Sequence, residues 1–354
     1  MESQVKQDIR ALSLEELISF FESIGEKVFR AKQVYNWLWK NNVFSFSKMT
    51  NISKTTRVIL EKKFIINNIL IDLQQKSKDG TIKNSVKLHD GLLVESVLIP
   101  TKKRITACIS SQVGCSLDCS FCATSLLKRM RNLNPDEIYD QVVAIGKQSM
   151  LYHKRSLTNI VFMGMGEPLM NYKNVLLAIK KITEPESLGM SPRRITLSTS
   201  GIPKMIKKLA DDKVKFGLAV SLHSARQSIR EQIMPFTKNF PLDDLMDSLL
   251  YWYKKVNKSV TFEYIIWKGI NDQNEDIVSL INFCKKIPSK VNLIQYNSIG
   301  SSKFIQASKS KINEYKNALE KANITVTIRH SRGQDIDAAC GQLANKIDEF
   351  SRAQ

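Results

Sequence analysis

Residues 114–124 read Gly-Cys-Ser-Leu-Asp-Cys-Ser-Phe-Cys-Ala-Thr, which places Cys115, Cys119 and Cys122 in a CxxxCxxC spacing. Iron-sulfur clusters that only transfer electrons are typically held by four cysteine thiolates. Three thiolates leave one iron of such a cluster open to an exchangeable ligand. The stretch therefore predicts an iron-sulfur cluster that takes part in a reaction.

A zinc knuckle or a set of structural thiols is the other interpretation of these cysteines. A zinc site with three cysteines needs a histidine at finger spacing as its fourth ligand. His153 and His223 follow Cys122 by 31 and 101 positions, outside that spacing. The sequence thus favours the cluster, and the structural context has to bear this out.

The composition is that of a folded and strongly basic protein. A chain of 354 residues is long enough for about two domains with a full core. It has 53 Lys and Arg against 34 Asp and Glu, a formal net charge of +19. This balance fits a polyanionic partner such as RNA, and solvated helix faces of a lysine-rich protein are the alternative. Basic runs at 102–104 and 128–131 flank the cysteine loop and favour the RNA partner.

The beginning of the sequence lacks the basic and apolar regions of a secretory leader, and no apolar stretch is long enough to span a bilayer. We therefore expect a cytoplasmic protein without a membrane partner. In that setting the six cysteines are more typical of metal binding or catalysis than of a disulfide framework.

The N-terminal part, 1–66, predicts a small helical domain. Ser13 and Glu16 form the pattern of a capping box ahead of an amphipathic helix. Further helices are predicted through Trp37 and at 55–64. Given the charge of the chain, we expect an accessory domain that contacts RNA.

The next part, 67–104, predicts a β-meander that links the helical domain to the rest. Its apolar residues alternate with a period of two, and Asp-Gly pairs at 79–80 and 90–91 mark tight turns. Glu95 is the charged residue on an otherwise apolar face of the last strand. An inward charge can protect a sheet edge, or the carboxylate can accept a proton in a reaction.

The third part, 105–330, alternates apolar strands with helices and indicates an α/β fold. This alternation predicts parallel strands with right-handed crossovers. The number of units favours an incomplete (β/α) barrel over the alternative, a doubly wound sheet. The candidate strands are 105–110, 159–163, 195–199, 216–222, 260–266, 291–296 and 324–329.

Unusual residues follow the ends of these strands. Because reactive groups gather beyond the carboxyl ends of parallel strands, we expect them to meet at one rim. Taken singly, these residues have ordinary explanations as strand-to-helix turns or helix caps. His223 is as well suited to a hydrogen bond with a buried backbone group as to contact with a ligand. The residues are Gly166, Glu167, Ser198, Ser221, Leu222, His223 and Asn297.

The last part, 331–354, carries Cys340 between small residues, and Cys108 lies in the first candidate strand. A lone cysteine is usually a buried small hydrophobe. Two extra thiols near a reactive cluster instead point to covalent sulfur chemistry. Cys284 falls between apolar positions of a helix, and we assign it to packing.

With these motifs assembled, the chain resembles the RlmN family, radical S-adenosylmethionine methyltransferases that modify C2 of adenosine in 23S rRNA and tRNA. The resemblance runs nearly end to end and is most specific at 111–122, 163–171, 193–201 and 332–343. It implies a partial (β/α)6 radical-SAM barrel that holds a [4Fe-4S] cluster. It also implies two molecules of S-adenosylmethionine per turnover, a low-potential electron donor of the flavodoxin or ferredoxin type, and a monomeric enzyme.

The resemblance assigns roles to residues of this sequence. Cys340 would first become S-methylcysteine, Cys108 would be its partner in a transient disulfide, and Glu95 would be the proton acceptor. The adenosine would have to be splayed out of its stack to reach the rim. The cluster would be held by Cys115, Cys119 and Cys122. S-adenosylmethionine would be bound by Gly166, Glu167, Ser198, Ser221, Leu222, His223 and Asn297.

Two alternatives to this function stay open at this point. A near relative, the Cfr type, methylates C8 of the same rRNA adenosine with the same cysteine arrangement. An RNA-binding protein with structural zinc and no catalysis is the other alternative, from a different functional class.

Overall fold

The computed structural model describes residues 6–300 and 303–345 of the chain. Residues 1–5, on which part of the leader prediction rests, lie outside the described residues. The same holds for 346–354 of the predicted C-terminal part.

The described residues of the N-terminal part form three α-helices and a short parallel pair of strands. Ser13 Oγ accepts a hydrogen bond of 3.1 Å from the N–H of Glu16, and the Glu16 carboxylate accepts one of 2.7 Å from the N–H of Ser13. The predicted capping box is thus confirmed, and it satisfies N–H groups that a helix leaves free at its start. The elements are β1 (Gln7–Asp8), α1 (Leu14–Ser23), α2 (Val28–Trp39), α3 (Lys54–Lys63) and β2 (Phe64–Ile65).

The predicted meander is present, and it continues the central sheet. Its antiparallel strands turn at the two Asp-Gly pairs, where Gly80 and Gly91 adopt φ angles of +85° and +83°. The last meander strand also pairs antiparallel with the strand that follows it. The meander therefore extends the barrel sheet, which the alternation along single strands did not reveal. The strands are β3 (Leu70–Lys76), β4 (Ile82–Lys87), β5 (Leu93–Pro100) and β6 (Ile105–Cys108).

All seven strands predicted from residue 105 onward are present, with ends that differ by at most two residues. The strands beyond β6 are β7 (Gln112–Val113), β8 (Arg131–Asn132), β9 (Asn159–Phe162), β10 (Ile195–Thr199), β11 (Gly217–Ser221), β12 (Val260–Ile265), β13 (Ser289–Ile294) and β14 (Thr325–Arg329). The helices are α4 (Pro135–His153), α5 (Tyr172–Thr183), α6 (Pro203–Asp211), α7 (Gln227–Ile233), α8 (Leu242–Val256), α9 (Asn274–Lys285) and α10 (Lys309–Lys321).

The strand order identifies the architecture. From β6 the neighbours are β9, β10, β11, β12, β13 and β14, each parallel to the one before and in chain order. A doubly wound sheet would reverse its order at a switch point. The alternative of a doubly wound sheet is therefore wrong, and the prediction of an incomplete parallel (β/α) barrel is confirmed.

Alternation along the strands separates the hydrophobic core from the barrel interior. In β10, Ile195 and Leu197 belong to the main hydrophobic core, whereas Ser198 lines a cavity on the other face. Cys284 of α9 is buried in the same core, as its position between apolar residues predicted. The interior face of the barrel is thus where polar side chains collect.

Among the helices of the described residues, none has both the length and the apolar character that crossing a membrane requires.

Candidate active site

A cavity of about 150 Å³ opens at the carboxyl ends of strands β9 to β13. Strand ends and the loops after them build its wall, as expected for reactive groups in a parallel barrel. The predicted site residues in this cavity wall are Cys115, Cys119, Cys122, Gly166, Glu167, Ser198, Ser221, His223 and Cys340. The predicted site residues outside the wall are Glu95, Cys108, Leu222 and Asn297.

A short antiparallel pair of strands, β7 and β8, fixes both ends of the cysteine loop. At the start of the loop Gly114 has a φ angle of +74°, and a Cβ there would lie 2.5 Å from the carbonyl oxygen of Lys128. Only glycine fits this close backbone approach. Farther along, Asp118 Oδ1 accepts a hydrogen bond of 2.8 Å from the N–H of Phe236. These contacts hold the backbone from which the cysteine side chains reach the cavity.

The cysteine thiols and the Glu167 carboxylate lie close enough to influence one another's protonation. Burial is the main cause of a pKa raised to about 11 at Cys115, and the nearby Glu167 and Cys122 raise it further. Burial also raises the pKa of Cys119 well above its usual value, with Cys122 as the next cause. Several acidic groups around one cavity favour a cationic centre between them, and thiolates are the ligands of iron-sulfur clusters.

The positions of the cysteine sulfur atoms distinguish a site for a single metal ion from a site for a cluster. Within the described ranges, no three or more His, Cys, Asp or Glu side chains are grouped so that they could hold a metal ion. In a cluster each thiolate binds its own iron, so the sulfur atoms need not converge on one point. Three cysteine side chains in one cavity wall therefore fit a [4Fe-4S] cluster.

Gly166 and Glu167 lie in the loop after β9. Gly166 has a φ angle of +92°, and a Cβ there would lie 2.5 Å from the Cβ of Gln112. The buried Glu167 carboxylate accepts hydrogen bonds of 3.0 and 2.7 Å from the N–H groups of Leu169 and Ser200. Burial raises its pKa, and these bonds oppose the rise. A carboxylate with remaining lone pairs in the cavity wall can accept a hydrogen bond from the ammonium group of a ligand.

His223 borders the cavity at the end of β11, in a left-handed backbone conformation with φ +55°. Its Nδ1 accepts a hydrogen bond of 3.2 Å from the N–H of Ile265, and its ring packs edge-on against Phe121 with centroids 4.8 Å apart. Burial, followed by the charge of Arg230, lowers the pKa of His223 to about 3. His223 is therefore a neutral ring that both satisfies a backbone group and lines the cavity.

Leu222 and Asn297 contact neighbouring segments instead of lining the cavity. The side chain of Leu222 is fully buried in the main core. Asn297 Nδ2 donates a hydrogen bond of 3.2 Å to the carbonyl of Cys340, and its Oδ1 accepts one of 2.8 Å from Gln334 Nε2. In this structure Asn297 therefore fixes the backbone of Cys340, a contact that its position after a strand did not predict.

Cys340 is an exposed residue in the cavity wall. It belongs to residues 332–345, which we call the Cys340 segment. Thr124 Oγ1, just beyond Cys122, donates a hydrogen bond of 2.7 Å to the carbonyl of Leu343 in this segment. The segment that carries Cys340 therefore lies against the loop that carries the three cysteines.

Cys108 is buried at the end of β6, close to Cys340. Burial raises its pKa to about 12, the Cys340 thiol raises it further, and the Arg329 guanidinium opposes the rise. Arg329 Nη1 lies 3.3 Å from Glu263 Oε2. Neither Glu263 nor Arg329 was predicted as a site residue from the sequence. A charged residue within an apolar strand, the signal that singled out Glu95, was also present at Glu263.

Glu95 is buried outside the cavity wall and faces the Cys340 segment. Its Oε2 accepts a hydrogen bond of 2.8 Å from the N–H of Ala344, and its Oε1 lies 3.4 Å from Lys83 Nζ. Its strand, β5, is flanked by β4 and β6. The interpretation of Glu95 as a charge that protects a sheet edge is therefore wrong.

Two protein families match separate parts of the chain. Residues 7–66 match a family described as ribosomal RNA large subunit methyltransferase N-terminal domain, and residues 109–281 match the radical SAM superfamily. Proteins of this superfamily use a [4Fe-4S] cluster and S-adenosylmethionine.

Relatives match over nearly the whole chain. It is 65% identical over 341 residues to a probable dual-specificity RNA methyltransferase RlmN of Christiangramia forsetii, covering 96% of this chain and 97% of that protein. A protein of the same name from Flavobacterium johnsoniae is 63% identical, with 97% and 99% covered. The crystal structure of a radical SAM methyltransferase from Sphaerobacter thermophilus superposes with a TM-score of 0.89 at 35% identity, covering 95% of this chain and 99% of that chain. The resemblance drawn from the motifs is confirmed, and the chain belongs to the RlmN family of radical S-adenosylmethionine proteins.

Proposed function

We propose that this protein methylates C2 of adenosine in 23S rRNA and tRNA, with Cys340 carrying the methyl group as S-methylcysteine. The observation that carries the proposal is that Cys340 borders the same cavity as Cys115, Cys119, Cys122 and the Glu167 loop. The relatives' name, dual-specificity RNA methyltransferase, supports RNA as the substrate. The C2–H bond of adenine is not acidic, so a radical route with a carrier thiol avoids the need for a carbanion.

The residues of the cavity wall would hold the reactive groups. Cys115, Cys119 and Cys122 would bind the [4Fe-4S] cluster, and the Glu167 carboxylate would accept from the ammonium group of S-adenosylmethionine. Ser198, Ser221 and His223 would contact the rest of that molecule, and Gly166 lets the backbone approach it. When bound, these groups supply a methyl group for a thiol and, after one-electron reduction, a radical that removes hydrogen from a methyl carbon.

Two thiols of the chain would complete the transfer. Cys340 takes the methyl group on its sulfur and presents the methyl carbon to C2 of the base. Once that carbon is bonded to C2, the adduct has to lose one electron, for which the cluster would be the acceptor, together with the C2 proton. The Cys108 thiolate then attacks the Cys340 sulfur, so an S–S bond forms and the S–C bond breaks. The bonding pair goes to the carbon, which takes a proton and becomes the new methyl group. The disulfide is then reduced before the next turnover.

Glu95 would accept the proton that C2 loses. It is a buried carboxylate that hydrogen-bonds to the N–H of Ala344, in the segment that carries Cys340. A carboxylate held next to the carrier segment can receive a proton without diffusing water. Its place outside the cavity wall requires the base, or the Cys340 segment, to approach it during turnover.

The partners follow from this chemistry. The substrate adenosine has to be splayed from its stack toward the cavity, and the basic runs at 102–104 and 128–131 would hold the RNA backbone. The helical domain of 1–66 would add contacts to RNA. A flavodoxin or ferredoxin type of protein would supply low-potential electrons. We propose that the protein acts as a monomer in the cytoplasm, where rRNA and tRNA are found.

The test is methylation of a 23S rRNA fragment and a tRNA by anaerobically reconstituted protein, followed by nucleoside mass spectrometry. We expect 2-methyladenosine from wild type and none from Cys340→Ala. Cys284→Ala, which removes a thiol from the core, is the matched control and should retain the product. The product 8-methyladenosine would instead support the Cfr type of reaction.

The alternative of a non-catalytic zinc protein is tested in the same preparation. A cluster predicts about four irons per chain and a brown colour, because three cysteines hold a [4Fe-4S] cluster with an open iron. Colourless protein with zinc and no methylation product would contradict the proposed function.

A further inference from the structure

The Cys340 segment is fastened to the outer edge of the meander. Asp79, in the turn between β3 and β4, accepts a hydrogen bond of 3.1 Å from the N–H of Gly333. Asp335 accepts hydrogen bonds of 2.6 and 3.2 Å from Ser77 Oγ and the N–H of Lys78. The two Asp335 contacts are exposed, so water competes with them and each contributes little to holding the segment, whereas the Asp79 contact is partly buried.

A second pair of contacts is buried beneath the same segment. Ser85 of β4 lies directly opposite Glu95 of β5, so Lys83, two residues before Ser85, is the diagonal neighbour of Glu95 on the same face. Lys83 Nζ lies 3.4 Å from Glu95 Oε1, and the two side chains are only 3% and 1% exposed. Two adjacent strands of the sheet thus contribute a buried ion pair.

Each member of this ion pair also holds the backbone of the Cys340 segment. Lys83 Nζ donates a hydrogen bond of 3.5 Å to the carbonyl of Asp337, three residues before Cys340. Glu95 Oε2 accepts one of 2.8 Å from the N–H of Ala344, four residues after Cys340. The two charged groups therefore contact the segment on both sides of its thiol.

Neither charge is well compensated without the other. Glu95 Oε1 is buried and accepts no hydrogen bond in the described part of the chain, so the Lys83 ammonium group is its electrostatic partner. Removing one member of a buried ion pair leaves an uncompensated charge and is strongly destabilising, whereas removing both is often nearly neutral. Lys83 and Glu95 thus each need the charge of the other in order to stay buried.

We propose that Lys83 is a positioning residue for the methyl transfer, and that its ion pair with Glu95 clamps residues 337–344 so that the Cys340 thiol stays at the cavity. The inference rests on the proposed role of Cys340 as methyl carrier. It does not depend on whether Glu95 is the proton acceptor. Lys83 lies outside the cavity wall, and it acts on the reaction through the backbone of the Cys340 segment.

The experiment compares reconstituted full-length variants by amide hydrogen exchange of 337–344 and by the rate at which iodoacetamide alkylates Cys340, both read by peptide mass spectrometry. Lys83→Met should raise both rates by at least about 10-fold, because an unpaired buried Glu95 drives local opening. Lys83→Arg should restore most of the wild-type protection. Lys87→Met, an exposed lysine on the same strand, is the matched control and should change neither rate.

The double variant Lys83→Met with Glu95→Gln keeps the test decisive if the single variant folds poorly. It removes both charges and retains an acceptor for the N–H of Ala344, so exchange of 337–344 should return toward wild type relative to Lys83→Met. The proposal is overturned if Lys83→Met leaves exchange and alkylation unchanged. It is also overturned if exchange rises equally in peptides throughout the chain, which indicates general destabilisation.

A readout of the reaction separates this inference from the proposed function. In wild type the mass of the Cys340 peptide should increase by one methyl group when S-adenosylmethionine is added, and Lys83→Met should lower the yield of that species. If wild type never forms S-methylcysteine while Lys83→Met still loosens the segment, the proposed carrier role fails and the clamp stands. If methylation proceeds and the segment is unaffected, the clamp fails and the carrier role stands.

Discussion

The N–H of Ala123 donates a hydrogen bond of 2.7 Å to the carbonyl of Gly341. Ala123 directly follows Cys122, and Gly341 directly follows Cys340. A single backbone contact thus joins the cysteine motif to the C-terminal thiol, although 218 positions separate the two residues in the sequence. We therefore expect cluster binding at the first and methyl transfer at the second to take place next to each other.

Cys122→Ala should abolish the cluster and the methylation of Cys340. Two thiolates cannot replace three as ligands of a [4Fe-4S] cluster, so we expect iron to fall to a small fraction of the wild-type content after reconstitution. Iron analysis together with visible absorbance measures this loss. Cys284→Ala is the matched control, because Cys284 is a buried cysteine in α9 far from the motif in sequence. Full iron content in Cys122→Ala would contradict the assignment of ligands.

Cys108→Ala should stop the reaction after the base has become attached to Cys340. Without the attacking thiolate, the S–C bond to the base has no nucleophile to break it, so RNA should accumulate as a covalent adduct with the protein. Denaturing electrophoresis with labelled RNA detects the adduct, and wild type should show little of it. Release of methylated RNA from Cys108→Ala at the wild-type rate would rule out the proposed step.

The sequence was sufficient for the barrel strands and for nine of the residues in the cavity wall. The alternation of apolar residues marks where each strand ends, and parallel strands bring their carboxyl ends to one rim. The positions of Ser198 and Ser221 at this rim could therefore be predicted from the sequence. Lys83 could not be identified in this way. It belongs to Ile82–Lys87, a strand with polar residues on both faces, and its function arises only when a segment more than 250 positions later covers it. Such coverage is a property of tertiary packing and leaves no local pattern.

The contact made by the Asn297 side chain could not be predicted from the sequence either. Its position after β13 correctly predicted a place near the rim, but its amide group is bonded to the carbonyl of Cys340. The sequence specifies which strand end a residue follows. It does not specify which of several neighbouring groups its side chain will contact, because that depends on how the Cys340 segment folds back over the barrel.

Arg329→Met should slow the attack of Cys108 on the Cys340 sulfur. The guanidinium group stabilises the thiolate and so opposes the other causes that raise the pKa of Cys108 to about 12. Without that positive charge the pKa rises further, so the thiolate fraction at a given pH falls by about 10-fold for each pKa unit. Release of methylated RNA slows by less than this, because the nucleophilicity of a thiolate rises with its pKa. Single-turnover release at several pH values measures the effect.

The charge-conserving variant Arg329→Lys separates this electrostatic effect from packing. It should release RNA faster than Arg329→Met, since an ammonium group retains the positive charge beside Glu263 and Cys108. Equal rates for the two variants, with the same dependence on pH, would show that the charge of Arg329 does not act on the thiol.

His223→Asn should reduce the loss of stability that accompanies acidification. Folding keeps His223 neutral down to a pKa of about 3, whereas the usual histidine value is 6.5. Between these values the unfolded chain binds one more proton at this site, so the free energy of unfolding decreases as pH falls, by about 1.4 kcal/mol per pH unit. Asparagine tolerates the left-handed backbone and offers an oxygen to the N–H of Ile265, so the variant should fold.

Urea unfolding at about pH 7 and about pH 5 measures how much the free energy of unfolding of each protein decreases on acidification. His330→Asn, at an exposed position, controls for removing an imidazole elsewhere, and a wild-type pH dependence in His223→Asn would mean that His223 is protonated in the folded protein.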